Sequence, residues 1–422
     1  MSSDRRSEVV VYLDAPELGP RRPVGVLHAA RGTRPVISFT YARSWLASRD
    51  RFPIDPALPL VDPDQYVQDG ALPGILADTA PDRWGRTLFD RREVAFAREE
   101  GRRPRTLHDW DYLLGVSDVT RMGALRLAAP PGDETFLDDR EQSVPPMVRL
   151  RELEHASRML EASPSSPSSP SSLRDESAFL ALLLAPGSSL GGARPKASFV
   201  AEDESLWIAK FPSRADIREI GAWEYLLTEL AARAGIRVPE RRLLRLGGEG
   251  RTFAARRFDR SGKDRRLYAS AMTLIGKNDG EEASYLEIAM AIADHGAPTT
   301  IGQDLEQLFR RVVFNVLMAN RDDHLRNHGF LRNPQGWRLA PAFDLNPTPE
   351  KAEHSLAIDA RDGQPSLDLV RDTAPWYRIK RTRIDEIVDE VRLAVSTWPT
   401  VAGDLGLAAH EVVFMADALA AM

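Results

Sequence analysis

The chain has 422 residues, enough for two or three packed units, and its 43% hydrophobic and 28% charged residues are typical of a folded globular protein. A net charge of -6 argues against a protein that binds nucleic acid over its whole surface, although it allows a local basic patch. The lack of cysteine excludes disulfides, thiolate metal sites and cysteine nucleophiles. Residues 1–6 are polar and lead into a valine-rich run, so we expect no signal peptide and a soluble, cytoplasmic protein without a membrane segment.

The N-terminal part of the chain alternates short apolar runs with turns. Runs rich in β-branched residues at 9–13, 24–27 and 36–39 predict a small sheet. A helical, charged region follows, and its basic stretch 91–105 is most simply a solvated face. One more strand is predicted at 121–127, before a Pro-Gly turn ends this part of the chain.

Residues 163–172 consist of seven Ser and three Pro. Such a segment buries too little apolar surface to offset the entropy lost on ordering, so we predict a flexible linker between two regions. After it we expect a helix at 175–185 and, beyond about residue 270, a mainly helical part with a loop-rich stretch at 320–349. The elements predicted in between are strands at 197–200, 206–211, 241–246 and 252–258 and a helix at 219–234.

Residues 187–196 form the first chemical motif, a glycine- and serine-rich loop that ends on Arg-Pro-Lys. Glycine lets backbone N–H groups close around a phosphate, hydroxyls add donors, and lysine supplies positive charge. The loop is not a Walker A motif, because Ala193 rather than lysine follows Gly192. On this motif alone, an ordinary helix–strand connection is as good an interpretation as a phosphate-binding loop.

Lys210 lies in the apolar run 206–211, and Glu224 follows in the next predicted helix. A strand lysine paired with a helix glutamate beside nucleotide phosphates is the arrangement that protein kinases use. The alternative is a surface lysine on an edge strand, whose stem covers apolar surface while its ammonium stays in water.

The most informative motif is Asp322 followed five positions later by Asn327. This is the spacing of the kinase catalytic loop, in which the aspartate accepts the proton of the attacking hydroxyl and the asparagine binds Mg²⁺. Asp344 then stands among apolar residues, as a second Mg²⁺ ligand would. Either acidic group alone would also suit a turn or a helix cap, but their order after the glycine-rich loop and Lys210 favours a kinase.

His324 and His328 are spaced so that both would face one metal ion if they shared a helix. No glutamate follows His324, so the metalloprotease motif is missing and zinc is the weaker interpretation. We expect His324 to order the catalytic loop or to be packed.

Taken in order, the motifs resemble those of the HipA family, serine/threonine-type kinases that act as toxins of toxin–antitoxin pairs. The resemblance extends over nearly the whole chain. Its motifs are 24–27, Tyr41, Trp45, 81–86 and 123–126 in the N-terminal part, and 189–196, 208–212, 257–260, 320–327 and 343–344 in the C-terminal part. The sequence departs from the family at 267–271, where many members have a His-Glu-Asp-like stretch, and in the Ser/Pro run 163–172, which looks like an insertion.

The resemblance implies a role for each matching position. Asp322 would be the catalytic aspartate, and Asn327 and Asp344 would hold Mg²⁺. Lys210 would contact the ATP phosphates. Ser189, or else the serine before it, would be autophosphorylated, which in the family expels the loop and stops ATP binding. The residues expected to bind ATP or its phosphates are Ser188, Ser189, Gly191, Gly192, Lys196, Lys210, Glu224 and His324.

The implied fold is α+β, with a protein-kinase-like two-lobed core, an additional N-terminal β-containing subdomain and a mainly helical C-terminal lobe. We divide the chain into the N-terminal subdomain (1–147), a helix with the Ser/Pro-rich linker (148–174), the N-lobe portion with the phosphate loop (175–270) and the helical C-lobe (271–422). ATP and Mg²⁺ are the implied cofactors. The implied partners are a HipB-like helix-turn-helix antitoxin, through which operator DNA is mainly bound, and a protein substrate such as an aminoacyl-tRNA synthetase.

Two other functions fit parts of the sequence. A small-molecule kinase of the aminoglycoside phosphotransferase type shares the Asp-to-Asn spacing, but a loop with a phosphorylatable serine argues against it. A non-catalytic, kinase-like binding module for an antitoxin/DNA complex would draw on the basic stretch 91–105. The complete set of Lys210, Asp322, Asn327 and Asp344 argues against that second alternative.

Overall fold

The computed structural model describes residues 7–30, 32, 35–67, 70–130, 132, 135–138, 144–162, 170–184 and 192–420. By backbone packing the chain divides into two compact units. Unit 1 comprises Met1–Arg214, Leu246–Gly248 and Asp259–Ala269, and unit 2 comprises Ala215–Arg245, Glu249–Phe258 and Ser270–Met422. The four segments predicted from the sequence remain predictions, because these units follow packing and not domain boundaries.

Unit 1 contains both strands and helices. Its strands are β1 (Ser7–Leu13), β2 (Arg22–Ala30), β3 (Val36–Tyr41), β4 (Leu125–Ala128), β5 (Lys196–Val200), β6 (Leu206–Lys210), β9 (Arg260–Ser261) and β10 (Asp264–Arg265). Its helices are α1 (Arg43–Ala47), α2 (Gly74–Ala77), α3 (Arg83–Glu99), α4 (Asp109–Gly115), α5 (Leu150–Ala162) and α6 (Pro170–Leu183).

The N-terminal sheet of unit 1 is antiparallel, with the strand order β3-β2-β1-β4. Val9 and Val11 on β1 are buried, whereas Glu8 is exposed, which is the alternation expected of a strand with one face on a core, and the last three residues of the strand, Val11 to Leu13, are all buried. β5 and β6 pair antiparallel with each other, and Lys196 on β5 lies directly opposite Lys210 on β6.

The predicted Ser/Pro linker 163–172 is partly wrong. α6 begins at Pro170, so the last three residues of the run are helical, and proline is well tolerated in the first turn of a helix because its missing N–H has no intrahelical partner there. Residues 163–169 lie outside the described residues.

Unit 2 is mainly helical. Its strands are β7 (Arg241–Leu244), β8 (Thr252–Arg256), β12 (Gly329–Asn333) and β13 (Gly336–Leu339), and β11 (Tyr268–Ser270) lies where the chain passes from unit 1 to unit 2. Its helices are α7 (Ile220–Arg233), α8 (Ala271–Ile275), α9 (Tyr285–His295), α10 (Ile301–Leu317), α11 (Leu367–Thr373), α12 (Arg381–Val395), α13 (Trp398–Leu405) and α14 (Ala409–Ala420).

α10 is the buried helix that positions the site in unit 2. Leu308, Phe309 and Val312 on it have no exposed surface, so the helix contributes a large apolar area to the core. Its first turn is tied by Asp304, whose carboxylate accepts hydrogen bonds from Arg237 (2.5 Å) and Arg338 (2.9 Å). Because the first turn of α10 is anchored and its middle is buried, the loop that follows it starts from a well-packed helix.

The stretch 320–349, predicted to be rich in loops, also contains a hairpin. β12 and β13 pair antiparallel, with Phe330 opposite Leu339. The side chain of Asn333 closes the turn by accepting hydrogen bonds from the backbone N–H groups of Gln335 and Gly336, both at 2.9 Å. The sequence prediction missed this hairpin because the turn-forming residues at 333–336 favour a loop.

Candidate active site

The loop that carries Asp322 is anchored to the last turn of α10. Asn315 accepts a hydrogen bond from the side chain of Asn320 (2.9 Å) through its amide oxygen and from the backbone N–H of Asn320 (2.9 Å) through its backbone carbonyl. Ala319 adopts a left-handed conformation, with φ of 50°. A non-glycine residue in this conformation is strained unless its surroundings hold it, and such residues concentrate at functional sites.

Asp323, beside the predicted catalytic aspartate, is the buried centre of this loop. Its Oδ2 accepts hydrogen bonds from the Tyr285 hydroxyl, the Asn315 amide and the His328 Nε2, each at 2.8 Å. Burial alone would raise the pKa of Asp323, but the charge and hydrogen bond of His328, together with the Tyr285 bond, outweigh burial and lower it. The sequence analysis missed this residue, because nothing in the run Asp-Asp-His shows which carboxylate points inward.

Asp322 points the other way. Its side chain is 56% exposed, and Lys351 forms an ion pair with its Oδ1. The Thr348 hydroxyl accepts hydrogen bonds from the backbone N–H groups of Arg321 (2.9 Å) and Asp322 (3.0 Å), which fixes the backbone from which the carboxylate projects. An accessible carboxylate on a fixed backbone is what a general base for an incoming hydroxyl requires.

His324 and His328 do not share a helix. Between them lies a single 3₁₀ turn, Leu325–Asn327; His324 is exposed, and His328 is buried against Asp323. The two rings therefore have different surroundings. His324, which was expected to order this loop or to be packed, is exposed rather than packed, and the buried His328 is the histidine that hydrogen-bonds Asp323.

The two predicted Mg²⁺ ligands lie in unit 2, close in sequence to the elements that fix Asp322. Asn327 is buried at the end of the 3₁₀ turn, and Asp344 has a left-handed backbone, with φ of 60°. The Asn346 amide donates to Asp344 Oδ1 (3.3 Å), while the amide oxygen of Asn346 is buried without a hydrogen-bond partner among the described residues. Mg²⁺ prefers carboxylate and amide oxygens, so the donor set fits that ion, and the unsatisfied oxygen is consistent with it.

The phosphate-loop motif is only partly described. Ser188, Ser189 and Gly191 lie outside the described residues, whereas Gly192 and Lys196 lie within them. The Lys196 ammonium forms an ion pair with Asp82 and donates to the Gly192 carbonyl at 2.9 Å.

Lys196 is completely buried, which changes its expected role. Burial raises the pKa of Asp82, and the Lys196 ammonium opposes that rise. Asp82 also caps α3 by accepting a hydrogen bond from the Gly85 backbone at 2.9 Å. In this structure Lys196 joins the end of the loop to the start of α3, and its contact with phosphate remains a prediction.

The remaining predicted ATP residues are placed as follows. Lys210 ends β6 and is buried, and Glu224 is buried within α7. Their pairing remains a prediction. Residues directly opposite in an antiparallel pair share a face, so the Lys196 charge, which Asp82 balances, is on the same side of the hairpin as Lys210.

Two of the family-like motifs meet inside unit 1. The fully buried Asp259 accepts a hydrogen bond from the Gly123 backbone (2.8 Å), and Arg260 donates to Asp259 (2.5 Å) and to the Arg121 carbonyl (2.8 Å). Gly123 has φ of 76°, and a side chain there would lie 3.2 Å from the Tyr268 backbone nitrogen. These contacts give both motifs a packing role that the sequence analysis did not assign.

At least two arginines of the basic stretch 91–105 are paired with carboxylates of the same unit. Arg102 pairs with Glu93 (2.5 Å) and Glu100 (2.5 Å), and Arg105 pairs with Asp111 (2.6 Å). Side chains already paired in this way offer less charge to a phosphate backbone.

Comparison with known proteins then identifies the family. A sequence model of the HipA N-terminal domain matches residues 19–114, and a model of the HipA-like C-terminal domain matches residues 188–398, half of the chain. The chain belongs to the HipA family. The resemblance drawn from its motifs is thereby confirmed.

Two relatives illustrate the match. A Haemophilus influenzae protein named "Putative kinase" is 28% identical over 190 residues, covering 39% of this chain and 54% of that protein, so the chain spans about half the length of this curated relative. The HipA structure from Shewanella oneidensis MR-1, solved with HipB and operator DNA, has a TM-score of 0.67 at 16% identity, covering 98% of this chain and 95% of that one. This second likeness confirms the predicted HipA-type α+β fold. Among the helices that the structure describes, none is long and apolar enough to cross a membrane.

Proposed function

We propose that this HipA-family protein is an ATP- and Mg²⁺-dependent serine/threonine-protein kinase with Asp322 as its catalytic base. The observation that carries the proposal is the contrast between the two adjacent carboxylates: Asp323 is buried under three hydrogen bonds, and Asp322 is held outward with one oxygen accessible. A purely structural loop has no need of the second, exposed acid. The kinase-type relative and the family match support the same conclusion.

In the proposed reaction Asp322 accepts the proton of an acceptor hydroxyl. The hydroxyl oxygen forms a bond to the γ-phosphorus of ATP, the bond from that phosphorus to the β–γ bridging oxygen breaks, and ADP leaves. Asn327 and Asp344 would hold Mg²⁺, which neutralises charge on the phosphates when bound. Lys210 would orient the phosphates from the end of β6, with Glu224 as its partner.

The acceptor is proposed to be a protein, with Ser189 of the chain's own glycine-rich loop as one phosphorylation site. A toxin role with a helix-turn-helix antitoxin is part of the same proposal, and an aminoacyl-tRNA synthetase is one candidate substrate. The support is the family, together with the Shewanella oneidensis relative, which was solved with HipB and operator DNA.

The test is to incubate the purified protein with ATP and Mg²⁺ and to measure intact mass, followed by phosphopeptide mapping. We expect one phosphoryl gain on the 187–196 peptide. It should be lost in Asp322→Asn, with the unfolding midpoint unchanged, since general-base catalysis contributes about 10²–10⁴-fold and an exposed side chain little stability. Full transfer by Asp322→Asn would remove Asp322 from its role, and phosphate on the neighbouring Ser188 would keep the loop but change the acceptor.

A further inference from the structure

A lysine far from the catalytic loop in sequence contacts the proposed base. The Lys351 ammonium pairs with Asp322 Oδ1 and donates to the Ser355 hydroxyl at 3.0 Å. No described residue donates to the other carboxylate oxygen, Oδ2. Lys351 therefore engages one oxygen of Asp322 and leaves the second one to the acceptor hydroxyl.

The segment 348–355 that carries this lysine is clamped onto the catalytic loop by its backbone. Thr348 donates its N–H to the Ala319 carbonyl at 2.8 Å, and Ser355 donates its N–H to the Arg321 carbonyl at 2.9 Å. The Arg321 guanidinium donates in return to the Lys351 carbonyl. Contacts on both sides of Lys351 thus fix the position from which its side chain reaches Asp322.

Stability does not account for this arrangement. Lys351 is 45% exposed and Asp322 is 56% exposed, and ion pairs this exposed contribute little to folding. A carboxylate that must accept a proton from one direction does benefit from a fixed orientation, because small displacements of a reacting group cost large factors in rate.

We propose that Lys351 is a positioning residue that holds the Asp322 carboxylate with Oδ2 toward the acceptor hydroxyl. This inference rests on the proposed kinase function and adds to it a residue that lies outside the motif containing Asp322 and Asn327. Ser355 assists by accepting a hydrogen bond from the lysine ammonium.

The experiment compares Lys351→Met, Lys351→Arg and Lys380→Met with the unsubstituted protein. Lys380, an exposed residue that precedes α12, is the matched control for loss of a lysine. The readouts are the maximal rate of phosphoryl gain by intact mass, the ATP concentration at half that rate, the affinity for ATP with Mg²⁺ by calorimetry, and the unfolding midpoint. Lys351→Met should lower the maximal rate about 100-fold, with ATP affinity and the midpoint unchanged. Lys351→Arg should recover most of the rate, and Lys380→Met should stay within about twofold of the unsubstituted protein.

Three outcomes would overturn the assignment. An unchanged rate in Lys351→Met would show that Asp322 needs no support, and a faster rate would make Lys351 an inhibitory contact. A loss confined to ATP affinity or to the midpoint would make it a binding or structural residue. Absence of transfer in the unsubstituted protein is a separate result, which rejects the kinase function itself together with the reaction that Lys351 would serve.

Discussion

Each compact unit contains a lysine–aspartate pair at a family motif, and the two pairs differ in nearly every physical respect. Lys196 and Asp82 in unit 1 have side-chain exposures of 0% and 6%, whereas Lys351 and Asp322 in unit 2 have 45% and 56%. The buried pair is enclosed by further hydrogen bonds to backbone groups at Gly192 and Gly85. The exposed pair leaves a carboxylate oxygen open.

Under the proposed function, the buried pair holds the structure together and the exposed pair serves the reaction. A buried ion pair cannot lose one partner without leaving an uncompensated charge in a poorly solvated site, so it acts as a fixed joint. An exposed pair is easily resolvated and contributes little to folding, so its value lies in orientation. Substitution of the lysine is therefore expected to lower the stability of the protein in unit 1, and in unit 2 to lower the rate of the proposed reaction with little change in stability.

The largest effect is expected for Lys196→Met. Removing the ammonium leaves the Asp82 carboxylate buried and unpaired, and we expect a loss of about 3–5 kcal/mol in the free energy of unfolding, measured by urea denaturation. Lys263→Met is the matched control, since Lys263 is an 89% exposed lysine of the same unit. A loss below about 1 kcal/mol would show that the pair is not closed in solution, and would restore Lys196 as a phosphate contact.

The types and order of the candidate site residues could be predicted from the sequence better than the residues that they contact. Asp322 and Asn327 were predicted from their spacing, because the kinase loop has a fixed distance between its aspartate and its asparagine, and Asp344 was predicted because it stands among apolar residues. Asp82 and Lys196 are 114 residues apart, and their pairing depends on tertiary packing that no local pattern records. Lys196 at the end of the glycine-rich loop was predicted to bind phosphate, and its ion pair with Asp82 is visible only in the structure.

The helices and strands, too, could be predicted where the local sequence carries a pattern. The strands of the N-terminal sheet were predictable because they are runs rich in β-branched residues between turn residues. The β12–β13 hairpin was missed, since the turn-forming residues between its strands favour a loop. Lys351 carried no sequence signal, because an exposed lysine in a loop is the commonest situation for that residue.

His354, a buried histidine without an ion-pair partner among the described residues, adds a third case to the comparison. His354 is 6% exposed, and neither ring nitrogen has a hydrogen-bond partner within normal limits among the described residues. Burial lowers its pKa to about 4, and Arg321 adds to the shift, while Asp323 and the Asn320 carbonyl oppose it.

Between pH 6.5 and about pH 4 the unfolded chain binds a proton at His354 and the folded protein does not. The free energy of unfolding therefore falls as the pH falls through this range. The loss is roughly 3 kcal/mol over that window. Unfolding measured between pH 7 and pH 4.5 should show a shallower slope in His354→Gln. The matched His410→Gln, at an exposed position of α14, controls for the loss of a histidine. Equal slopes in His354→Gln and the unsubstituted protein would contradict the burial of His354.

A smaller effect is expected for Asp323→Asn, with its neighbour as the control. The substitution turns one acceptor oxygen into a donor facing Tyr285, Asn315 and His328, and hydrogen bonds to a charged group contribute about 1.5–3 kcal/mol. We expect a stability loss of about 2 kcal/mol in Asp323→Asn and none in Asp322→Asn, by urea denaturation. Equal losses would mean that the inward and outward roles of the two carboxylates are not distinct.

The smallest effect is expected for the stability of Lys351→Met, and it decides whether the comparison holds. If exposure governs the outcome, removing this lysine should change the free energy of unfolding by less than about 1 kcal/mol, because water resolvates Asp322 at once. Adding 0.5 M NaCl should reduce the difference between Lys351→Met and the unsubstituted protein further, since salt screens exposed charges. The same salt should leave the loss in Lys196→Met almost unchanged, because its cost arises from a desolvated carboxylate that salt ions do not reach. A large, salt-insensitive loss in Lys351→Met would instead show that segment 348–355 depends on this contact for folding, and the division between a structural and a chemical lysine–aspartate pair would then fail.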